Sequence, residues 1–180
     1  MVESKDTHPN WKSNLTILWM VQVLSQTAFG FGLPFMSFYI QDLGVTSPDE
    51  IKLWTGLLSM APALTMALFS PVWGRLADRL GSKPMVLRAS FAASIVLALM
   101  GLAPNVWVLL IMRVLQGIFT GTIVAANTFV ARNTPAENMG SALGFLSSAQ
   151  FIGASLGPAL GGFVADSVGY RVSFFLGGLA

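Results

Sequence analysis

The sequence predicts an all-α membrane protein: five complete transmembrane helices and the start of a sixth, arranged as inverted three-helix repeats. Three observations carry this. Hydrophobic residues make up 54% of the 180 and charged residues only 10%, whereas a soluble domain carries about 25% charged residues; mean hydropathy is +0.68. The charges are clustered, leaving uncharged runs at residues 13–41, 53–74, 89–112, 114–131 and 138–165. Each run is long enough, or nearly so, for the ~20 residues a helix needs to cross hydrocarbon. Last, the sequence resembles itself at a shift of 88 residues. Trp54–Pro84 lies over Ala142–Val172 without a gap, and nine of 31 pairs are identical, including Gly74/Gly162, Asp78/Asp166 and Gly81/Gly169.

The elements follow from the runs. Helix 1 is expected over Leu15–Ile40, since its uncharged run is too long for the apolar core of a cleavable signal peptide and stays as a span. Helix 2 is expected over Leu53–Trp73, between Lys52 and Arg75. Helix 3 covers Met85–Ala103, with Pro84 suited to its first turn. Helix 4 covers Val106–Ala131, interrupted in charge only by Arg113. Helix 5 covers Ala142–Ala165, and a sixth starts near Val172. Nine residues do not span a bilayer, so the chain reads as a cytoplasmic tail at 1–14 and a transmembrane half at 15–180, cut within helix 6.

Basic residues orient the bundle. With the N-terminus in the cytoplasm, the inside segments hold Lys5, Lys12, Arg75, Arg79, Lys83, Arg88 and Arg132, and the outside loops only Lys52 and Arg171. That asymmetry satisfies the positive-inside rule. Asp42, Asp49 and Glu50 then face outward, and Trp11, Trp54, Trp107, Tyr39 and Tyr170 fall near helix ends as interfacial aromatics. The turn after helix 2 is then inside and the turn after helix 5 outside, so the two copies of the repeat are inverted. Inverted repeats are a transporter architecture.

Several functions are excluded. A net charge of +2 without a basic stripe gives no nucleic-acid surface. With no cysteine, and its one histidine (His8) in the polar tail, the chain offers no disulfide, no metal site and no cofactor anchor. An intramembrane enzyme would need convergent nucleophiles, acids or ligands, and the spans contain no Asp or Glu.

Three stretches carry candidate chemistry. Gly74–Pro84 reads as a tight basic loop with one acid: Gly81 permits a positive-φ turn, Gly74 a close helix approach, and Asp78 can pair with Arg75, Arg79 or Lys83 or sit at a helix N-terminus. As a bare topology signal, the loop would not require Asp78 or the glycine spacing. In helix 4, Arg113, Gln116, Thr120 and Asn127 fall within about a 60° sector of a continuous helix, flanked by Gly117 and Gly121. A charge there needs protein or water around it, unless it snorkels to the outer end. Helix 1 offers a comparable face with Gln22, Gln26 and Phe29. In helix 5, Gly153, Gly157 and Gly161 form a smooth groove for close helix contact, and Pro158 beside them kinks the helix; Gly162 follows.

These stretches resemble the three signature motifs of the major facilitator superfamily in its drug:proton antiporter branch. Gly74–Val86 resembles G-x-L-A-D-R-x-G-R-K-x-x-L, departing at Ser82 and Val86. Leu109–Gly121 is similar to L-x-x-x-R-x-x-Q-G-x-x-x-G, and Gly153–Gly162 resembles G-x-x-x-G-P-x-x-G-G at every fixed position. Three motifs in order cover nearly the whole chain. The resemblance implies the N-terminal half of a bacterial twelve-helix multidrug efflux protein, multi-pass in the inner membrane. It implies export of amphipathic drugs or other small molecules by proton antiport, with substrate, protons, the bilayer and the missing C-terminal half as partners. It further implies that Asp78, with Arg79, Gly81 and Lys83, forms a gate, that Arg113 serves proton transfer or tunes a proton-binding acid, and that the Gly157–Pro158 region limits leak. The absence of Asp and Glu from the spans departs from many proton-driven relatives. It leaves the coupling carboxylate in the missing half, or coupling of another kind. The alternatives are a sugar or metabolite facilitator or exporter of the same superfamily, and a non-transporting fragment or scaffold.

Overall fold

The computed structural model of the chain describes residues 10–179. Lys5, His8 and most of the expected 1–14 tail lie outside the described residues. The elements are α1 (Trp11–Gly30), a 3-10 turn (Leu33–Phe35), α2 (Met36–Asp42), α3 (Pro48–Leu80), α4 (Ser82–Gly101), α5 (Val106–Phe119), α6 (Thr122–Asn133), a 3-10 turn (Ala136–Asn138), α7 (Met139–Val168) and α8 (Tyr170–Leu179). They make five apolar spans, Trp11–Asp42, Pro48–Leu80, Ser82–Gly101, Val106–Asn133 and Ala136–Val168. No strand occurs among the described residues.

The 88-residue shift survives in the backbone. Spans 2 and 5, Pro48–Leu80 and Ala136–Val168, are both 33 residues long and coincide under it. Both end on a glycine of nearly identical conformation: Gly81 at φ 90°, ψ 163° and Gly169 at φ 87°, ψ 163°. That region is closed to residues with a Cβ. Each glycine N–H donates to the carbonyl four residues back, Ala77 and Ala165, and the next helix starts at once, at Ser82 and Tyr170. Leu58 and its counterpart Leu146 are both fully buried.

Spans 1 and 4 depart from the continuous helices expected of them, and do so at matching places. Span 1 breaks at Phe31–Phe35, where Pro34 has no N–H to donate to the Gly30 carbonyl. Span 4 breaks at Thr120–Gly121, with Gly121 in the left-handed region at φ 93°, ψ 36°. Shifted by 88, Thr120–Gly121 falls on Gly32–Leu33, inside the first break.

Burial follows a membrane pattern. The glycine face of α7 is packed, while Phe151 and Phe163 on the same helix point outward, as the absence of water at a lipid-facing surface permits. Tyr39, expected at the interface, is instead fully buried; its hydroxyl donates to the Met100 carbonyl at the end of α4, and its ring packs on Phe174. Trp54 and Trp107 do meet near helix ends, edge to face at 4.7 Å between ring centroids.

Candidate functional site

The basic loop expected at Gly74–Pro84 is almost entirely helix. Residues 74–80 complete α3, Gly81 alone makes the turn, and Pro84 sits in the first turn of α4. Asp78 is consequently held on the end of a helix, and its partner is none of Arg75, Arg79 or Lys83. Arg132, at the end of α6, donates one guanidinium nitrogen to the Asp78 carboxylate and another to the Ala77 carbonyl at 3.2 Å. One side chain thereby ties the C-terminal ends of α3 and α6, sharing the Ala77 carbonyl with the Gly81 N–H. Its counterpart in the repeat, Asp166, makes no ion pair among the described residues. Arg79 and Lys83 are exposed. Gly74 was expected to admit a neighbouring helix, yet nothing would lie within 4 Å of a Cβ there; it borders open space.

That space is a wedge. Above it, α5 presses on α3: a Cβ on Gly117 would fall 1.9 Å from Thr65 Oγ1 and 2.3 Å from the Pro62 carbonyl oxygen. Past the break, α6 packs chiefly on α4, so α3 and α6 diverge. They enclose a cavity of about 200 Å³ that includes Gly74, Asp78, Arg88, Gly117, Thr120 and Arg132 in its walls. The carbonyls freed where α5 ends are taken up locally. The Gln116 carbonyl accepts from the Thr120 N–H and from Thr120 Oγ1 at 2.6 Å. The Ile118 carbonyl accepts from Trp73 Nε1 at 2.6 Å. Satisfying such groups inside the protein is what lets a break exist at membrane depth.

Arg113 lies within α5 and is 5% exposed. Its Nη1 donates to Gln116 Oε1 at 2.9 Å, one turn further along the helix, and its Nε is buried without an acceptor. It does not snorkel to the outer end. No carboxylate pairs with it among the described residues. The single polar stripe expected along helix 4 is divided by Gly121: Arg113, Gln116 and Thr120 lie at or before the break and Asn127 beyond it, half-buried on α6.

The helix 5 glycines form a seam with α1. Cβ atoms at Gly153, Gly157 and Gly161 would fall 2.4 Å from Gln26 Cβ, 2.6 Å from Gly30 Cα and 2.5 Å from Phe31 Cα respectively, while one on Gly162 would stand 3.2 Å from the Phe35 ring. Pro158 lies inside an unbroken α7, its Cδ 2.9 Å from where a Cβ on Gly30 would stand. The seam thus reaches the break in span 1. The helix 1 candidates do not converge on one cavity. Gln26 packs on Gly153, Phe29 borders a separate cavity between α1, α4 and α8, and Gln22, 1% exposed, buries an Nε2 with no acceptor.

Three residues of this region were not singled out from the sequence: Trp73, Arg88 and, as a partner of Asp78, Arg132. Arg88 was counted among the inside basic residues, yet it stands six residues into α4, its guanidinium carbon 3.5 Å from the centroid of the Trp73 ring. Its place inside the expected helix 3, after Met85, was the available signal.

Spans paired by the 88-residue shift, two of them broken at equivalent positions, are the arrangement of inverted-repeat transporter folds. The chain belongs to the Major Facilitator Superfamily, whose family model matches residues 18–180, and so to a transporter family rather than an enzyme family. It is similar to the multidrug resistance protein MdtG of Klebsiella pneumoniae (strain 342), at 43% identity over 97% of this chain and 42% of the relative. It is likewise similar to the proteins of that name from Enterobacter lignolyticus (strain SCF1), at 45% over 96% of the chain and 41% of the relative, and from Escherichia coli (strain K12 / DH10B), at 43% over 95% and 42%. The chain spans about two fifths of the length of these curated relatives.

Proposed function

We propose that the chain is the N-terminal transmembrane half, residues 15–180, of an inner-membrane exporter of amphipathic drugs or similar small molecules, driven by proton antiport, with residues 1–14 a cytoplasmic tail. The observation that carries this reading is the pair of equivalent breaks in spans 1 and 4. Interrupted spans at corresponding positions of two repeats mark where a transporter handles substrate; here the span 4 break adjoins Gln116 and the span 1 break adjoins the α1–α7 glycine seam. The cargo class rests on the name of the relatives.

In this reading Arg113 is a fixed positive charge. Arginine stays protonated at physiological pH, so it acts on protons indirectly, by favouring the ionised form of an acid brought near it. No carboxylate pairs with Arg113 among the described residues, and in this reading the coupling carboxylate lies elsewhere in the transporter. The Asp78–Arg132 pair, with Gly74, Arg79, Gly81 and Lys83, is the latch of a gate at the basic end of the bundle. Gly153, Gly157, Pro158, Gly161 and Gly162 seal α7 against span 1, and Gln22, Gln26, Phe29, Thr120 and Asn127 are candidate contacts on the substrate path. Energy-dependent efflux of a panel of amphipathic dyes, measured in cells expressing the complete reading frame with and without a protonophore, tests the reading. Efflux abolished by the protonophore is expected; efflux that persists at full rate without a proton gradient would remove proton antiport.

A further inference from the structure

α8 is wedged between the C-terminal halves of α1 and α4, and its glycines fix how it lies there. A Cβ on Gly177 would fall 2.7 Å from the Ala28 carbonyl oxygen and 3.1 Å from both Phe31 Cβ and Leu97 Cδ2. One on Gly178 would fall 2.6 Å from the Ser94 carbonyl oxygen, and one on Gly101 2.5 Å from the Arg171 carbonyl oxygen. Numbering therefore falls along α4 as it rises along α8, with Gly177 opposite Leu97. The same holds against α1, where Gly32 meets the Phe174 ring and Gly177 meets Ala28.

Beyond Gly177 the space between α1 and α4 is open. A cavity of about 190 Å³ bordered by Ser25, Ser90, Ala93 and Gly177 is followed by one of about 650 Å³ that reaches Asn14, Lys83 and Asn133, and Val21 lines both. They form one groove, which runs about 22 Å from the level of Leu97 to that of Ser82. α8 stops at Leu179, at the head of the groove. A helix that stops at this depth leaves its last carbonyls without partners, where no water is present to supply them. A lipid tail would fill the volume but brings no N–H to those carbonyls. A continuing helix supplies both.

We propose that the groove is the seat of the chain that follows Ala180 in the complete protein, which continues α8 as one helix between α1 and α4 in the register its glycines already set. The proposal rests on the reading of the chain as the N-terminal half of a longer transporter. Length agrees with the groove: α4 runs Ser82–Gly101, and the 88-residue shift that carries Ser82 onto Tyr170 carries its end to about position 189. Antiparallel helices advance together at about 1.5 Å per residue. On the α1 wall, Ser25 then lies opposite about position 181; on the α4 wall, Ser90 lies opposite about position 184 and Val86 opposite about position 188.

Disulfide trapping in the complete protein, in a background without other cysteines, tests it. Ser25→Cys or Val86→Cys is combined with a single cysteine at each position from about 181 to about 190. The pairs are oxidised in membranes, and the bond is read by mass spectrometry of the digested protein. A disulfide forms only where the Cα atoms stand about 4.4–6.8 Å apart. The best partner is expected near position 181 for Ser25→Cys and near 188 for Val86→Cys, a shift of about seven positions. Ser90→Cys, a near-isosteric change with its partner expected near 184, takes the place of Val86→Cys if that variant does not insert. Bonds to neither wall, or a best partner that stays put or moves the opposite way when the wall cysteine changes, overturn the proposal. The transport reading fails separately: bonds in this register without dye efflux would remove it and leave the packing, whereas dye efflux without these bonds would remove the packing alone.

Discussion

Arg132 reaches from the end of α6 to the Asp78 carboxylate at the end of α3, across 54 positions of sequence. Both side chains are substantially solvent-exposed, 39% and 69%, and exposed pairs contribute at most about 1 kcal/mol to stability. The pair therefore matters through the conformation it favours. Asp78→Asn and Arg132→Gln should each lower efflux by the complete protein about tenfold or more with little change in thermal stability. Exchanging the charges, Asp78→Arg with Arg132→Asp, should recover much of the loss. Wild-type efflux in both single variants would reduce this end of the bundle to a topology signal.

The fold was largely legible because lipid removes ambiguity: an uncharged run of sufficient length has few places to go. All five spans and the 88-residue repeat could be read, as could the turn at Gly81. The breaks could not, since Pro34 and Gly121 lie inside long uncharged runs that read as continuous helices. Pro62, Pro71 and Pro158 sit inside unbroken helices, so a proline alone does not announce a break. Pairing partners distant in sequence were equally hidden. Asp78 had three bases within five residues, yet once α3 continues to Leu80 the fold brings a fourth, Arg132, to it. Tyr39 was misplaced for a related reason, because proximity to a helix end says nothing about which neighbour covers the ring.

The α1–α7 seam leaves no room for a side chain. Leucine at Gly157 or Gly161 would push directly on the backbone of Gly30 or Phe31, where overpacking costs about 1–3 kcal/mol or more. Gly144, on the same helix, has nothing within 4 Å of a Cβ. Melting of the purified protein should fall by several degrees for Gly157→Leu and Gly161→Leu, and efflux should be lost, while Gly144→Leu behaves as wild type. Gly178 would be a poor comparison, since a Cβ there would fall 2.5 Å from the Ala98 amide nitrogen.

Arg113 costs about 2.5–3.5 kcal/mol to insert on translocon scales, so Arg113→Ala should reach the membrane at least as well as wild type and yet fail to transport. Arg113→Lys keeps the charge but loses the fork that engages Gln116, and should fail nearly as completely. Gln116→Leu removes the Nη1 acceptor and should reduce both stability and efflux. Normal efflux by Arg113→Ala in a dye-accumulation assay would show the arginine to be dispensable.

Trp73 closes the carbonyl left open where α5 ends. Trp73→Phe keeps a ring beneath Arg88 but removes the indole donor to Ile118, leaving a buried acceptor unmet at a cost of about 1–3 kcal/mol. Thermal unfolding in detergent should report that loss. An unchanged melting temperature would mean the broken end is satisfied by other means.

The account depends most on the inversion of the two repeats. Lys83 and Arg171 are related by the 88-residue shift, follow glycines of matching conformation, and are both exposed. Cysteine introduced singly at each, in this cysteine-free chain, can be probed with an impermeant thiol reagent in intact cells and in inside-out vesicles. Lys83→Cys should label only in the vesicles and Arg171→Cys only in the cells. Labelling of both positions from the same side would contradict the inverted repeat and, with it, the transporter architecture built on it.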